Sequence, residues 1–274
     1  MHQTLISVTD ARNLPGDVLF VDCRHQLGNP AFGPEQYRLG HLPNARFAHI
    51  DHDLSAPVIP GRTGRHPLPD PEALRAFFGR LGIRPGTQVI AYDQDVGMFA
   101  ARLWWLLRAF GHQAVAVLDG GYAAWVAAGG SLDLDTPPPA ETRFEGHWNP
   151  HSVDSRDVLE HLGSPERVLI DARLPERFQG LVEPIDPKAG HIPGAVNLPF
   201  TLNCEQGQWR SREALRTRYE GYAIREMVCY CGSGVTACHT ILAAVHAGLP
   251  EPRLYAGSWS EWITDDARPV ATGA

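Results

Sequence analysis

The residue best placed to do chemistry is Cys231, which closes the apolar run Met227-Val228-Cys229-Tyr230 and opens the segment Cys231-Gly232-Ser233-Gly234-Val235-Thr236-Ala237. An apolar run of this length bounded by a glycine-rich turn reads as a buried strand, and the periodic residues from Thr236 to Ala247 read as the helix that follows. Gly232 and Gly234 permit dihedrals that wrap the backbone around one point, so that successive N–H groups converge on an anion near a helix N-terminus. A thiolate or a persulfide anion gains from such a cradle, and the thiolate is the reactive form of cysteine. Set against this is the ordinary role of a buried cysteine as a small hydrophobe. That reading fits Cys229, inside the strand, and Cys238, in the first helical turn. A cysteine-dependent phosphatase needs an arginine six positions after its nucleophile, where this chain has Ala237. No Cys-x-x-Cys pair is present for dithiol redox chemistry or a zinc site, and Cys204 reads as a loop cysteine.

The elements that must position Cys231 occur twice. Val18-Leu19-Phe20-Val21-Asp22-Cys23-Arg24 returns as Val168-Leu169-Ile170-Asp171-Ala172-Arg173, and the turn Gly40-His41-Leu42-Pro43-Asn44-Ala45 returns as Gly190-His191-Ile192-Pro193-Gly194-Ala195. The strand Val89 to Tyr92, its turn and the helical run Phe99 to Phe110 match the strand, turn and helix around Cys231, with Asp93 at the cysteine position. Leu118-Asp119-Gly120-Gly121-Tyr122 corresponds to Leu254-Tyr255-Ala256-Gly257-Ser258. Short buried strands alternating with helices predict two α/β domains, each a parallel sheet with helices on both faces. The proline-rich stretch from Thr136 is read as a linker, giving domains at 1–135 and 151–274 with the linker at 136–150. His41 and His191 are expected to stabilise their turns.

With 274 residues, the chain exceeds the usual size of one domain, and its formal charge of −7 gives no basic surplus for nucleic acid or anionic lipid. Neither a membrane span nor an export signal is read in it. Five cysteines in so long a chain fit reduced thiols in a cytoplasm better than a disulfide framework.

The loop at 231–237 followed by Cys238, the turn at 190–195 and the repeat together resemble tandem-domain rhodaneses, and the loop is most similar to that of 3-mercaptopyruvate sulfurtransferases. The resemblance implies transfer of a sulfane sulfur from 3-mercaptopyruvate to a thiol, cyanide or protein thiol such as a thioredoxin, through a persulfide on Cys231. Thiosulfate is the alternative donor, and a non-catalytic rhodanese module is a further alternative that the intact cysteine loop disfavours. The resemblance also implies a substrate loop of Gly232, Gly234, Val235 and Thr236, with Arg177 on the donor's anionic group. Ser233, His66 and Asp51 form its proton relay, Asp93 marks an inactive first domain, and no cofactor or metal is implied. Where such enzymes commonly carry a second arginine after a Glu-Pro pair, this chain reads Glu183-Pro184-Ile185-Asp186-Pro187-Lys188, which leaves Lys188 as the candidate replacement.

Overall fold

The computed structural model describes residues 1–135 and 142–273, so the first part of the expected linker, 136–141, lies outside the described residues. The chain divides into two compact units: Met1–Ala56, Leu68–Pro150 and Gln206–Trp209 in the first, Pro57–Pro67, His151–Glu205 and Arg210–Ala274 in the second. This is not a single cut in the sequence, and it departs from the expected boundaries in three places, the shortest being residues 206–209, which group with the first unit. Residues 57–67 group with the second unit. Residues 142–150, read as linker from their polar composition, pack on the first unit through aromatic side chains. Phe144 is buried edge-on against Phe78 and Phe110 at 5.1 and 5.6 Å, and Trp148 meets Phe110 at 5.0 Å.

In the first unit the elements are β1 (Leu5–Ile6), α1 (Val8–Arg12), β2 (Val18–Asp22), α2 (Phe32–Leu39), β3 (Arg46–Phe47), α3 (Pro71–Arg80), β4 (Gln88–Tyr92), α4 (Ala100–Ala109), β5 (Val115–Leu118) and α5 (Gly121–Ala127). The second contains β6 (Ser152–Val153), α6 (Ser155–Glu160), β7 (Arg167–Asp171), α7 (Pro175–Phe178) and β8 (Val196–Asn197). After β9 (Cys204–Glu205) and β10 (Gln208–Trp209, grouped with the first unit), two short strands outside the main sheets, come α8 (Arg212–Tyr219), β11 (Glu226–Tyr230), α9 (Thr236–His246), β12 (Arg253–Tyr255) and α10 (Ser258–Trp262). Strand order is β1-β5-β4-β2-β3 in one sheet and β6-β12-β11-β7-β8 in the other, with parallel pairing throughout. The two orders superpose element by element, as the internal repeat requires. All five residues of β4 are buried although successive side chains point to opposite faces, so both faces of that sheet are covered.

Each unit carries the same polar bolt across its sheet edge. Arg24 is forked onto Asp22 and donates to the Gly40 carbonyl at 2.7 Å, and Arg173 is forked onto Asp171 and donates to the Gly190 carbonyl at 2.7 Å. Removing one partner of either buried pair strands a charge, at a cost of roughly 3–5 kcal/mol. The two turn histidines are bonded alike: His41 Nδ1 meets the Tyr37 carbonyl and His191 Nδ1 that of Phe178, each ring stacked on the same residue's ring. They serve their turns, as the sequence predicts. No helix among the described residues is long and apolar enough to cross a membrane.

Candidate active site

Cys231 sits directly after the central strand β11, where the carboxyl ends of parallel strands leave room for a ligand. Its residue is 2% exposed. The Gly234 N–H donates to the Cys231 sulfur at 3.1 Å, so the loop does wrap back on the thiol. Gly234 has φ of 80°, and a Cβ there would run into the Ala256 backbone, which makes glycine a requirement. Helix α9 then starts at Thr236 with Val235 as its N-cap, and no side chain caps its first turn. From the other side the Cys231 N–H donates to Ser258 Oγ at 3.1 Å, and its carbonyl accepts from the Trp259 N–H at 3.0 Å. Ser258 holds a left-handed φ of 55°, a strain of the kind that concentrates at functional sites.

Ser233 lies against His66, Oγ to Nδ1 at 2.7 Å, with both residues buried. The two are 167 positions apart, yet His66 falls in the 57–67 segment that belongs to the same unit. Asp51 belongs to the other unit, where its carboxylate faces His25 at 4.0 Å and His49 at 3.8 Å. Its membership of the relay rests on resemblance alone. His25, His49 and Asp51 bring ligand atoms within 4.8 Å of one another, as a metal site would. However, His49 Nδ1 accepts from the Asp51 N–H and Nε2 contacts the Pro30 carbonyl, so both ring nitrogens are already engaged.

Arg177 is fixed by two acids. Its Nε and Nη2 fork onto Glu183, and Nη2 also reaches Asp186 at 3.0 Å. Burial pushes the Glu183 carboxyl up, but the Arg177 bonds and the backbone N–H groups of Ile185 and Asp186 hold it below the usual range, so it stays ionised beside Arg177. Asp186 is bound in turn by Arg65, which sequence reading passed over although it precedes His66. A Cβ at Gly232 would lie 2.8 Å from Nη2 of Arg65 and 3.4 Å from Nη1 of Arg177, so both guanidinium groups stand over the cysteine loop. Lys188, the candidate replacement, is half-exposed and paired with Asp266 at 3.2 Å. Glu183, Asp186 and Ser258 were also missed. The one available sequence signal was an acid, Asp186, close to where an arginine was expected.

The other cysteines lie outside this cradle. Burial pushes the thiols of Cys23 and Cys229 up, and Cys238 donates to the Gly234 carbonyl at 3.3 Å. Cys204 approaches His239 Nε2 at 3.8 Å and is partly exposed, in strand β9 rather than the expected loop. All five cysteines are free of disulfides.

The first unit displays the same cradle filled by a carboxylate. Asp93 accepts from the N–H groups of Asp95, Gly97, Phe99 and Ala100 at 2.7 to 3.2 Å, capping α4 from the position that corresponds to Cys231. Burial raises its carboxyl from 3.8 to about 6, with the backbone bonds opposing the shift. The folded state therefore keeps a proton that the unfolded chain releases, and the stability this confers at low pH is lost as pH rises through about 6. Compared with Asp93→Ser, the wild type should gain about 1 kcal/mol in urea melts between pH 7 and pH 5. A difference between the two proteins that does not vary with pH would contradict this placement of the carboxyl.

These features define a protein of two parallel α/β repeats, the second of which ends its central strand in a cysteine held by its own loop. The chain belongs to the family described as Rhodanese-like domain, whose model matches it twice, over residues 7–128 and 154–265. It is 48% identical over 270 residues to a probable 3-mercaptopyruvate sulfurtransferase of Pseudomonas aeruginosa, covering 96% of this chain and 95% of that protein. It is 39% identical over 280 residues to a putative thiosulfate sulfurtransferase of Mycobacterium tuberculosis, covering 99% of this chain and 98% of that one. Among solved structures, 3-mercaptopyruvate sulfurtransferase from Leishmania major superposes with a TM-score of 0.84 at 31% identity, over 98% of this chain and 76% of that one.

Proposed function

We propose that the protein is a sulfurtransferase that takes a sulfane sulfur from 3-mercaptopyruvate, holds it as a persulfide on Cys231 and passes it to a thiol or cyanide acceptor. The observation that carries the choice of donor is the Ser233 to His66 hydrogen bond two residues past the nucleophile. In the first half-reaction the Cys231 thiolate attacks the donor sulfur, a new S–S bond forms and the donor's C–S bond breaks. The electron pair of that bond leaves as the enolate of pyruvate. The thiol proton of the donor must depart and the enolate carbon must gain one, so the balanced products are the Cys231 persulfide anion and pyruvate. Ser233 and His66 form a two-residue relay suited to this transfer, to which the resemblance adds Asp51. Thiosulfate would release sulfite with no proton to move. In the second half-reaction an acceptor thiolate or cyanide attacks the outer sulfur and regenerates the thiolate.

The balance of charge supports the same donor. Gly232, Ser233 and Gly234 bring no cation, and the two guanidinium groups over the loop, Arg65 and Arg177, are offset by Glu183 and Asp186, so no surplus positive charge is left for the second negative charge of thiosulfate. Gly232, Gly234, Val235 and Thr236 supply the backbone around the sulfur, and Arg177 binds the donor's carboxylate. Asp93 already fills the corresponding cradle in the first unit and cannot carry sulfur, which makes that unit catalytically silent. A protein thiol such as thioredoxin would serve as acceptor, and five cysteines in so long a chain suit a reducing cytoplasm better than a disulfide framework.

Paired kcat/KM measurements with 3-mercaptopyruvate and thiosulfate on one preparation test the donor. 3-Mercaptopyruvate should be preferred, and Arg177→Ala should lower its kcat/KM by roughly tenfold to a hundredfold, the worth of a charge-assisted hydrogen bond. Equal or better use of thiosulfate by the wild type would overturn the donor and leave the sulfurtransferase class, which the Mycobacterium relative also represents.

A further inference from the structure

We infer that Arg65 is the second ligand of the donor's carboxylate, supplying from residues 57–67 the cation that is missing after Glu183-Pro184. The inference rests on the reading of 3-mercaptopyruvate as donor and adds a specificity-determining residue to it.

Three observations converge on Arg65. Its Nη1 is bound by Asp186 Oδ1, while the other oxygen of Asp186 accepts from Arg177 Nη2, so one carboxylate with a side chain only 3% exposed sets the spacing of two guanidinium groups. Its backbone N–H donates to Ser260 Oγ at 3.1 Å, and the Ser260 N–H donates to the Gly232 carbonyl at 3.0 Å, which ties the Arg65 segment to the cysteine loop. Gly64, just before it, packs so closely on the Gly257 backbone that no Cβ fits. Finally, Nη2 of Arg65 and Nη1 of Arg177 have no hydrogen-bond partner among the described residues, and they are the guanidinium nitrogens nearest the position a Gly232 Cβ would take.

Two unpartnered N–H faces converging beside a nucleophile match the two oxygens of a carboxylate. Asp186 completes the logic. An acid close to where the arginine is expected reverses the local charge, and that acid is useful only if a cation arrives from elsewhere to meet it. Lys188 does not fill this role, because it is held at the surface by Asp266. The exchange moves the second cation from one loop to another and keeps the number of positive groups over the donor.

The test compares 3-mercaptopyruvate with mercaptoacetone, which has the same sulfur, methylene and carbonyl but a methyl group in place of the carboxylate. In Arg65→Gln, KM for 3-mercaptopyruvate should rise roughly tenfold or more with a smaller change in kcat, and the preference for 3-mercaptopyruvate over mercaptoacetone should fall by a similar factor. Gly232→Ala, which pushes a methyl group toward Arg65 Nη2, should reduce the same preference. Arg65→Lys should fall between wild type and Arg65→Gln, since it keeps the charge without the fork. An unchanged preference in Arg65→Gln, in an enzyme that uses 3-mercaptopyruvate, would exclude Arg65 as a carboxylate ligand while leaving the donor intact. Equal losses with both compounds would reduce Arg65 to a structural residue. A wild type inert toward 3-mercaptopyruvate would overturn the donor and this inference together.

Discussion

Cys231→Ser is expected to remove sulfur transfer to below detection with either donor while the protein stays folded. Serine fits the space, and its hydroxyl can still accept from the Gly234 N–H that now meets the sulfur at 3.1 Å. The hydroxyl is hardly ionised at neutral pH and forms no persulfide, so both half-reactions lose their carrier. The other cysteines of the second unit's central strand and helix, and Cys23 of the first unit, are not placed to replace it. Burial holds the thiols of Cys23 and Cys229 in the protonated form, and Cys238 is bonded to the Gly234 carbonyl. Steady-state assays beside far-UV circular dichroism and thermal melts of the same samples separate chemistry from folding. Residual turnover above a few per cent in a folded Cys231→Ser protein would point to a different nucleophile.

The next largest effect is expected at the proposed proton relay of Ser233 and His66. A positioned acid or base contributes about 10²- to 10⁴-fold, so Ser233→Ala and His66→Asn should each lower kcat/KM for 3-mercaptopyruvate by at least about a hundredfold. The two losses should not add in the double variant, because both residues act through one hydrogen bond of 2.7 Å. Thiosulfate gives the control. Its sulfur carries no proton and sulfite leaves without one, so its rate should fall by less than about tenfold in the same variants. Equal losses with both donors would mean that the Ser233 to His66 bond merely braces the loop.

The repeat, the alternation of buried strands and helices, and the cysteine loop could be read from the sequence because each rests on a local pattern. Buried parallel strands are continuous apolar runs, and glycines mark the turns where the chain must reverse or approach closely, so β7, β11 and α9 lie close to where the pattern puts them. Contacts between distant segments left no such trace. Arg65 meets Asp186 across 121 positions, and nothing in either local pattern announces the other. The same holds for residues 142–150, whose polar composition concealed Phe144 and Trp148 as aromatic anchors on the first unit. Lys188 was only a candidate on its place in the sequence, and the fold leaves it half-exposed beside Asp266. Arg177 was nominated through a motif, whereas the acids that orient it become visible only once the chain is folded.

Mass spectrometry of the wild-type protein, incubated with 3-mercaptopyruvate without acceptor and then digested, decides whether Cys231 is the carrier. The intact mass should rise by about 32 Da, one sulfur atom, the added mass should map to the peptide containing Cys231, and a thiol or cyanide should discharge it. An unmodified Cys231 peptide, or sulfur found only on Cys23, Cys204, Cys229 or Cys238, would contradict the persulfide assignment.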